Sequence, residues 1–157
     1  MKKNVVVLGK GRLAIKVAQW FLRHPKYTLV AIVPVVPEPT WTSSLIKWAK
    51  KNQVDIVESG HFQDLPQSIA IDLAVSVTYD KIIKPSFINR CKRIINIHNS
   101  PLPKYRGVSP INWALKNNET IHGVTIHEIT PGIDDGPIWG QVKFSIYPET
   151  DEVKDVY

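Results

Sequence analysis

Short runs of apolar, β-branched residues alternate with helical patterns along most of the 157-residue chain. After the first run, Leu13, Val17 and Phe21 recur at helical spacing. Continuous apolar runs are typical of strands buried on both faces, and strands joined through helices favour right-handed crossovers. The pattern therefore predicts an α/β fold whose mostly parallel sheet has helices on both faces. The predicted strands are residues 4–8, 28–33, 55–57, 73–78 and 93–98.

The later part of the sequence departs from this alternation. Residues 123–129 and 138–146 are two strand-like runs with no helical pattern between them, which predicts an antiparallel pair. Helix starts are predicted from capping residues and prolines at Thr42 or Ser43, at Pro85, and at Ser109 followed by Pro110. Residues 1–157 are expected to form a single domain, because the length suits one core.

Composition narrows the class of protein. Cys91 is the only cysteine, so no internal disulfide can form, and a reducing, cytoplasmic location is expected. No apolar run approaches the roughly 18 residues of a membrane helix, so no membrane partner is expected. The net charge of +6 suggests anionic partners, and residues 1–37 hold seven cations and no acid. The cations are spread too thinly for a DNA-binding tail.

A glycine-rich loop follows the first predicted strand. Gly9, Gly11 and Ala14 match a dinucleotide fingerprint, in which glycines let the backbone approach a phosphate. The fingerprint also needs an acid at the end of the second strand, whereas the first acid in this chain is Glu38. Three interpretations stay open: a nicotinamide site, a site for another anionic ligand, or a plain turn.

One group of polar residues stands out among the histidines and carboxylates. Asn96 and His98 are two apart at the end of a predicted buried strand, so both side chains project from one face. The Asp134-Asp135-Gly136 run, in a glycine-flanked loop between the late strands, could bring a carboxylate to them. His122 and His127 are five apart in a predicted strand and are expected on opposite faces, and no metal-ligand spacing occurs.

Several stretches resemble one known family. Residues 96–107 and 123–127, with the run at 132–138, are similar to the signatures of folate-dependent formyltransferases, and residues 72–83 resemble that family's folate-side strand and loop. The resemblance implies a Rossmann-like enzyme domain that uses N10-formyltetrahydrofolate. It also implies a catalytic set of Asn96, His98 and Asp134.

In that set the resemblance implies that Asn96 donates to the developing oxyanion and that His98 stabilises the oxyanion or moves the amine proton. Asp134 is expected to orient His98 and to hold a water. A cis peptide is implied at Leu102-Pro103. The implied cofactor-binding residues are Thr78, Tyr79, Asp80, Lys81, Ile82, Ile83 and Ile133. The expected substrate-binding residues are Gly9, Lys10, Gly11, Arg12, Ser100, Arg106 and Gly107.

The acceptor amine is less constrained. The short, cation-free segment 34–41 and the segment 101–113 look most like the sugar-modifying branch, which favours a nucleotide-linked amino sugar. Methionyl-tRNA and glycinamide ribonucleotide stay open as acceptors. Compared with the family's catalytic domain, the chain is expected to be truncated in its last helix. The exposed apolar surface would then favour a homodimer, or the chain would be a folate-binding module with little turnover.

Overall fold

The computed structural model describes all 157 residues, which form two compact units, Met1–Ile95 and Asn96–Tyr157. The strands are β1 (Lys3–Gly9), β2 (Tyr27–Pro34), β3 (Leu73–Val77), β4 (Ile94–His98), β5 (Ile121–Glu128) and β6 (Ile138–Ser145). The helices are α1 (Gly11–Arg23), α2 (Leu45–Lys51), α3 (Pro85–Ile88), α4 (Pro110–Lys116) and α5 (Val153–Val156), with a short 3-10 helix at Phe62–Asp64. The strand order is β2-β1-β3-β4-β5-β6 in a six-stranded sheet. The predicted α/β fold, mostly parallel with a late antiparallel pair, is confirmed.

In the first unit β1 is the central strand. It pairs in parallel with both β2 and β3, and its residues from Val5 to Leu8 have no solvent exposure. Helix α1 buries Ala14, Ala18 and Phe21, which recur at three- and four-residue spacing along one face. The core of this unit therefore includes the apolar segment of β1 from Val5 to Leu8 and the apolar stripe of the helix that follows it.

The start of α2 differs from the prediction. The N-cap is Ser44, whose Oγ accepts from the Lys47 backbone N–H at 3.0 Å, so the predicted caps Thr42 and Ser43 are wrong. The Glu38 carboxylate adds to this cap, because its Oε1 accepts from the N–H groups of Leu45 and Ile46. Negative charge at a helix N-terminus is favourable, since the first N–H groups have no partner inside the helix.

Two other boundaries also differ. The predicted strand at residues 55–57 is reduced to a single bridge between Ile32 and Ile56. Strand β3 ends at Val77, one residue early, because Thr78 has a φ of 52° in the left-handed region and leaves the ladder. Pro85 does open α3, as predicted.

In the second unit the antiparallel pair of β5 and β6 holds the loop that follows β4. Thr125 of β5, which is fully buried, donates from Oγ1 to the Ser100 carbonyl at 2.7 Å and accepts from the Leu102 N–H at 3.1 Å. Gln141 of β6 donates to both the Leu102 carbonyl and Thr125 Oγ1, each at 2.9 Å. The side chains of Thr125 and Gln141 thus form hydrogen bonds with backbone groups of the loop that have no partner in the sheet.

The same loop contains the cis peptide Leu102-Pro103 that the resemblance implies. Helix α4 begins at Pro110 as predicted, but the Ser109 side chain does not cap it. Ser109 has a φ of 55°, a conformation different from the extended one in which a serine hydroxyl reaches the first turn. None of the helices combines the length and the apolar composition that crossing a bilayer requires.

Candidate active site

His98 is the last residue of β4, and it contacts Asp134. The side chain is 8% exposed, and its Nδ1 lies 3.5 Å from Asp134 Oδ2. Its Nε2 lies 2.8 Å from the Tyr105 carbonyl oxygen. A carbonyl can only accept, so Nε2 carries a hydrogen and Nδ1 is the atom that faces the carboxylate. The loop after β4 therefore turns back so that the Tyr105 carbonyl binds and orients the His98 ring.

Asp134 is held from several sides. It has a φ of 47°, which aspartate tolerates better than most residues, and its Oδ2 accepts from the Gly107 N–H at 2.8 Å. Burial raises the pKa of this carboxyl, but the hydrogen bonds from His127 and Gly107 and the nearby His98 outweigh burial and lower it. The carboxylate is therefore the form that the site stabilises.

The loop that carries Asp134 lies close to the end of β5, which explains one glycine of the Asp-Asp-Gly run. A Cβ on Gly136 would lie 2.0 Å from the Glu128 carbonyl oxygen, closer than any real contact. Only glycine lets the loop pack this tightly against the end of β5, and this packing helps to position the loop that carries Asp134.

Asn96 joins the group through a histidine. Its Nδ2 lies 3.3 Å from His127 Nε2, and the same Nε2 lies 3.3 Å from Asp134 Oδ1. The structure therefore brings Asn96, His98 and Asp134 together around His127, which was not among the site residues expected from sequence. Its membership of the 123–127 run, seven residues before Asp134, was the signal that could have identified it.

The other second-unit candidates differ in what they can offer a ligand. Ser100 is fully buried, and its hydroxyl donates to the Lys104 carbonyl at 2.7 Å. The Gly107 N–H is used by Asp134, while Arg106 between these loop contacts is exposed. Ile133 is exposed as well, so it presents an apolar side chain to solvent beside Asp134.

The expected cofactor-side segment, residues 78–83, lies in the first unit and has no regular secondary structure. Tyr79 donates from its hydroxyl to the Gly60 carbonyl at 2.7 Å, and burial raises its pKa to about 12. Asp80 and Lys81 form an ion pair at 3.1 Å. Ile82 is strongly exposed, whereas Ile83 is buried, so the segment is anchored by one isoleucine and exposes the other.

The glycine-rich loop has a packing reason for its first glycine. A Cβ on Gly9 would lie 1.9 Å from the Val77 carbonyl oxygen, so the ends of β1 and β3 approach too closely for any side chain. Gly11 begins α1, Lys10 donates its N–H to Val77 O at 3.3 Å, and Arg12 is exposed. Glu38, the nearest acid for a nicotinamide ribose, is engaged at the N-terminus of α2 instead, which argues against that interpretation.

Comparisons with known proteins identify the family. The family model described as formyl transferase matches residues 47–157, which is more than half of the chain. The chain belongs to the formyl transferase family.

Individual relatives represent different branches of that family. An N-formyltransferase from Helicobacter canadensis, solved in complex with folinic acid and dTDP-3-aminofucose, has a TM-score of 0.82 and 27% identity over 100% of this chain and 57% of its own. The methionyl-tRNA formyltransferase of Thermosipho africanus is 52% identical over 67 residues, 43% of this chain and 22% of its own length. The phosphoribosylglycinamide formyltransferase of Haemophilus influenzae is 40% identical over 94 residues, 59% of this chain and 44% of its own. The chain thus spans less than half the length of these two curated relatives.

Proposed function

We propose that the protein transfers a formyl group from N10-formyltetrahydrofolate to a primary amine. The observation that carries this proposal is the contact between His98 and Asp134, with Asn96 joined to Asp134 through His127. An amide N–H, an imidazole and a carboxylate gathered at the end of a buried strand can stabilise a developing oxyanion and move a proton. Membership of the formyl transferase family supports that chemistry over other acyl transfers.

The residues of the expected folate side suit such a group. Irregular backbone at residues 78–83 presents N–H and C=O groups outside any helix, and Ile82 adds an exposed apolar side chain. A planar heterocycle with a hydrogen-bonding edge needs this combination of backbone partners and apolar surface. We therefore assign Thr78, Tyr79, Asp80, Lys81, Ile82 and Ile83, together with Ile133, to folate binding.

When bound, N10-formyltetrahydrofolate supplies the formyl group: its carbon bonds to the acceptor nitrogen, its bond to the folate nitrogen breaks, and one proton passes from the amine to that nitrogen. Asn96 would donate its side-chain N–H to the formyl oxygen, a contribution of roughly 3 kcal/mol for comparable donors. His98 would take up or stabilise charge beside that oxygen. Asp134 would keep the His98 ring oriented and hold a water that carries the proton.

For the acceptor we propose a nucleotide-linked amino sugar. The Helicobacter canadensis protein, whose match covers 100% of this chain and 57% of its own, was solved with such a sugar. The exposed Arg106 and the N-terminus of α1 with Lys10 and Arg12 supply cationic and N–H groups for an acceptor that carries phosphates. Gly9, Gly11 and Gly107 stay part of the proposal for acceptor binding, each within its own unit, and the fully buried Ser100 would act by shaping the loop after β4.

A second candidate is methionyl-tRNA, because the Thermosipho africanus relative has the higher local identity. The two candidates differ in size and charge, so a direct assay separates them. Purified protein is incubated with N10-formyltetrahydrofolate and, in parallel, with dTDP-linked amino sugars, methionyl-tRNA and glycinamide ribonucleotide. Products are identified by mass spectrometry, and the expected result is one added formyl group on the amino sugar.

The matched controls are His98→Asn and Asp135→Asn, the second being an exposed neighbour of Asp134. Product should be lost in the first variant and retained in the second. If folate binds but no amine is formylated, the chain is a binding module and the proposed activity is wrong. Formylation of methionyl-tRNA alone would keep the reaction and replace the acceptor.

A further inference from the structure

His127 is anchored more firmly than its place in a strand requires. The side chain is 2% exposed, and its Nδ1 lies 2.7 Å from the Glu128 carbonyl oxygen. Because a carbonyl only accepts, Nδ1 carries a hydrogen and donates it. That bond sets the ring's orientation and tautomer and leaves Nε2 as the atom directed at Asn96 and Asp134.

The carboxylate of Asp134 is shared between two rings. His98 Nδ1 and the Gly107 N–H face Oδ2, while His127 Nε2 faces Oδ1. The planes of the two imidazoles are nearly perpendicular, at 81°, with centroids 6.4 Å apart. With both oxygens engaged from different directions, the carboxylate cannot rotate without breaking at least one contact.

The same Nε2 also determines how the Asn96 carboxamide is presented. Without a hydrogen, Nε2 accepts from Asn96 Nδ2 at 3.3 Å; with one, it donates to Asp134 Oδ1 at the same distance. The ring atom thus bonds to the amide in one state and to the carboxylate in the other, and it lies 3.3 Å from both groups. A lone pair at Nε2 selects Nδ2 rather than Oδ1 of the carboxamide, which is the orientation that an oxyanion donor needs.

His122 on the same strand shows what a histidine without this role looks like. It is equally buried, and its Nε2 donates to the Asn99 carbonyl at 2.8 Å. Its Nδ1 is buried without a hydrogen-bond partner, and its ring lies against the rings of Tyr105 and Phe144. His122 therefore fills core space, whereas His127 directs a polar atom at two side chains of the candidate site.

We propose that His127 is a positioning residue for formyl transfer, holding the Asn96 amide and the Asp134 carboxylate in register from its Nε2. The inference rests on the proposed function, and it adds a residue that acts through Asn96 and Asp134. Misplacing reacting groups by about 1 Å can cost roughly a hundredfold in rate. The loss of this contact is therefore expected in kcat, with little change in the KM for the acceptor.

Two polar replacements separate positioning from packing. In His127→Asn the side-chain amide overlaps the Nδ1 position and can keep the bond to the Glu128 carbonyl, but nothing replaces Nε2. In His127→Gln the amide reaches the Nε2 position. We expect kcat to fall roughly a hundredfold in His127→Asn and by less than about tenfold in His127→Gln. The thermal midpoints of these two variants should be alike. In the control His122→Gln, kcat should stay within about threefold of the wild-type value.

A purely structural histidine predicts the opposite order, because Asn keeps the anchoring bond. Equal kcat values for the two variants, or a higher value for His127→Asn, would overturn the proposal. The wild-type protein supplies the separate control: absence of formyl transfer to every acceptor would refute the proposed function itself. As a second readout, the Asn96 side-chain N–H resonances should shift in His127→Asn and stay unchanged in His122→Gln.

Discussion

Asp134 illustrates how one residue can be specified by its neighbours. Its left-handed backbone, the Gly107 N–H and two histidine rings together define where each carboxylate oxygen lies. Asp135, the next residue, has the same chemistry but is exposed and bonds to Thr130. The pair therefore offers a test in which the residue type is constant and only the surroundings differ.

Asp134→Asn should lower the rate of formyl transfer by at least about a hundredfold. The amide that replaces the carboxylate cannot accept at both positions, so one N–H group would face the donors that now point at Asp134. Asp135→Asn should stay within about threefold of wild type. Single-turnover assays of both variants measure the effect, and equal rates would show that Asp134 has no special part in the reaction.

His122 predicts a pH dependence of stability. Burial lowers its pKa below the usual 6.5, although its bond to the Asn99 carbonyl and nearby Glu119 oppose the shift and His98 adds to it. Below about pH 6.5 the unfolded chain binds a proton that the folded chain resists. The free energy of unfolding should therefore fall as the pH drops from about 7 to about 5.

Urea unfolding at several pH values tests this, since His122→Leu removes the titrating group while keeping an apolar filler. The variant should show a flatter dependence than the wild type over the same range, at an unchanged denaturant slope. If the free energy of unfolding changed equally with pH in both proteins, the pH dependence would come from groups other than His122.

The loop after β4 depends on a strand that is distant in sequence. Thr125 of β5 serves both the Ser100 carbonyl and the Leu102 N–H, and Gln141 of β6 binds the same hydroxyl. The loop leads on to Tyr105 and Gly107, whose backbone groups bind His98 and Asp134. A defect in this attachment should therefore affect both stability and the candidate site.

Thr125→Val keeps the shape of the side chain and removes its hydroxyl. The buried Leu102 N–H then loses its acceptor, which costs about 1–3 kcal/mol. Chemical unfolding should show that loss, together with slower formyl transfer. Thr125→Ser, which keeps the hydroxyl, is the control and should recover most of the difference; a Val variant as stable as wild type would show that water replaces the hydroxyl.

Burial differs along the whole chain in a way that hydrogen exchange can measure. Strand β1 pairs on both sides and its apolar residues have no exposure, whereas α5 buries none of its residues. Amides that exchange only through global opening lie in such doubly paired strands. We expect the slowest exchange at Val6 and Val7 and the fastest in α5. Protection of α5 equal to that of β1 would contradict this expectation.

Much of this architecture follows from local patterns. Apolar runs predicted the six strands to within a few residues, and helical spacing, capping residues and prolines predicted the starts of α1 to α4. The strand predicted at residues 55–57 was wrong, because only a single bridge forms there. The period of two in β4 also placed Asn96 and His98 together. The polar residues of the signature stretches then indicated the family correctly.

Other features were decided only by the tertiary structure. The N-terminus of α2 is bonded by Glu38 as well as by Ser44, and the contact of His127 with Asn96 joins residues 31 positions apart. Local sequence determines backbone preference and which side chains can be buried. The partners of a buried polar atom come from segments far apart in the chain, and only the packed register of strands and loops brings those atoms within hydrogen-bonding distance.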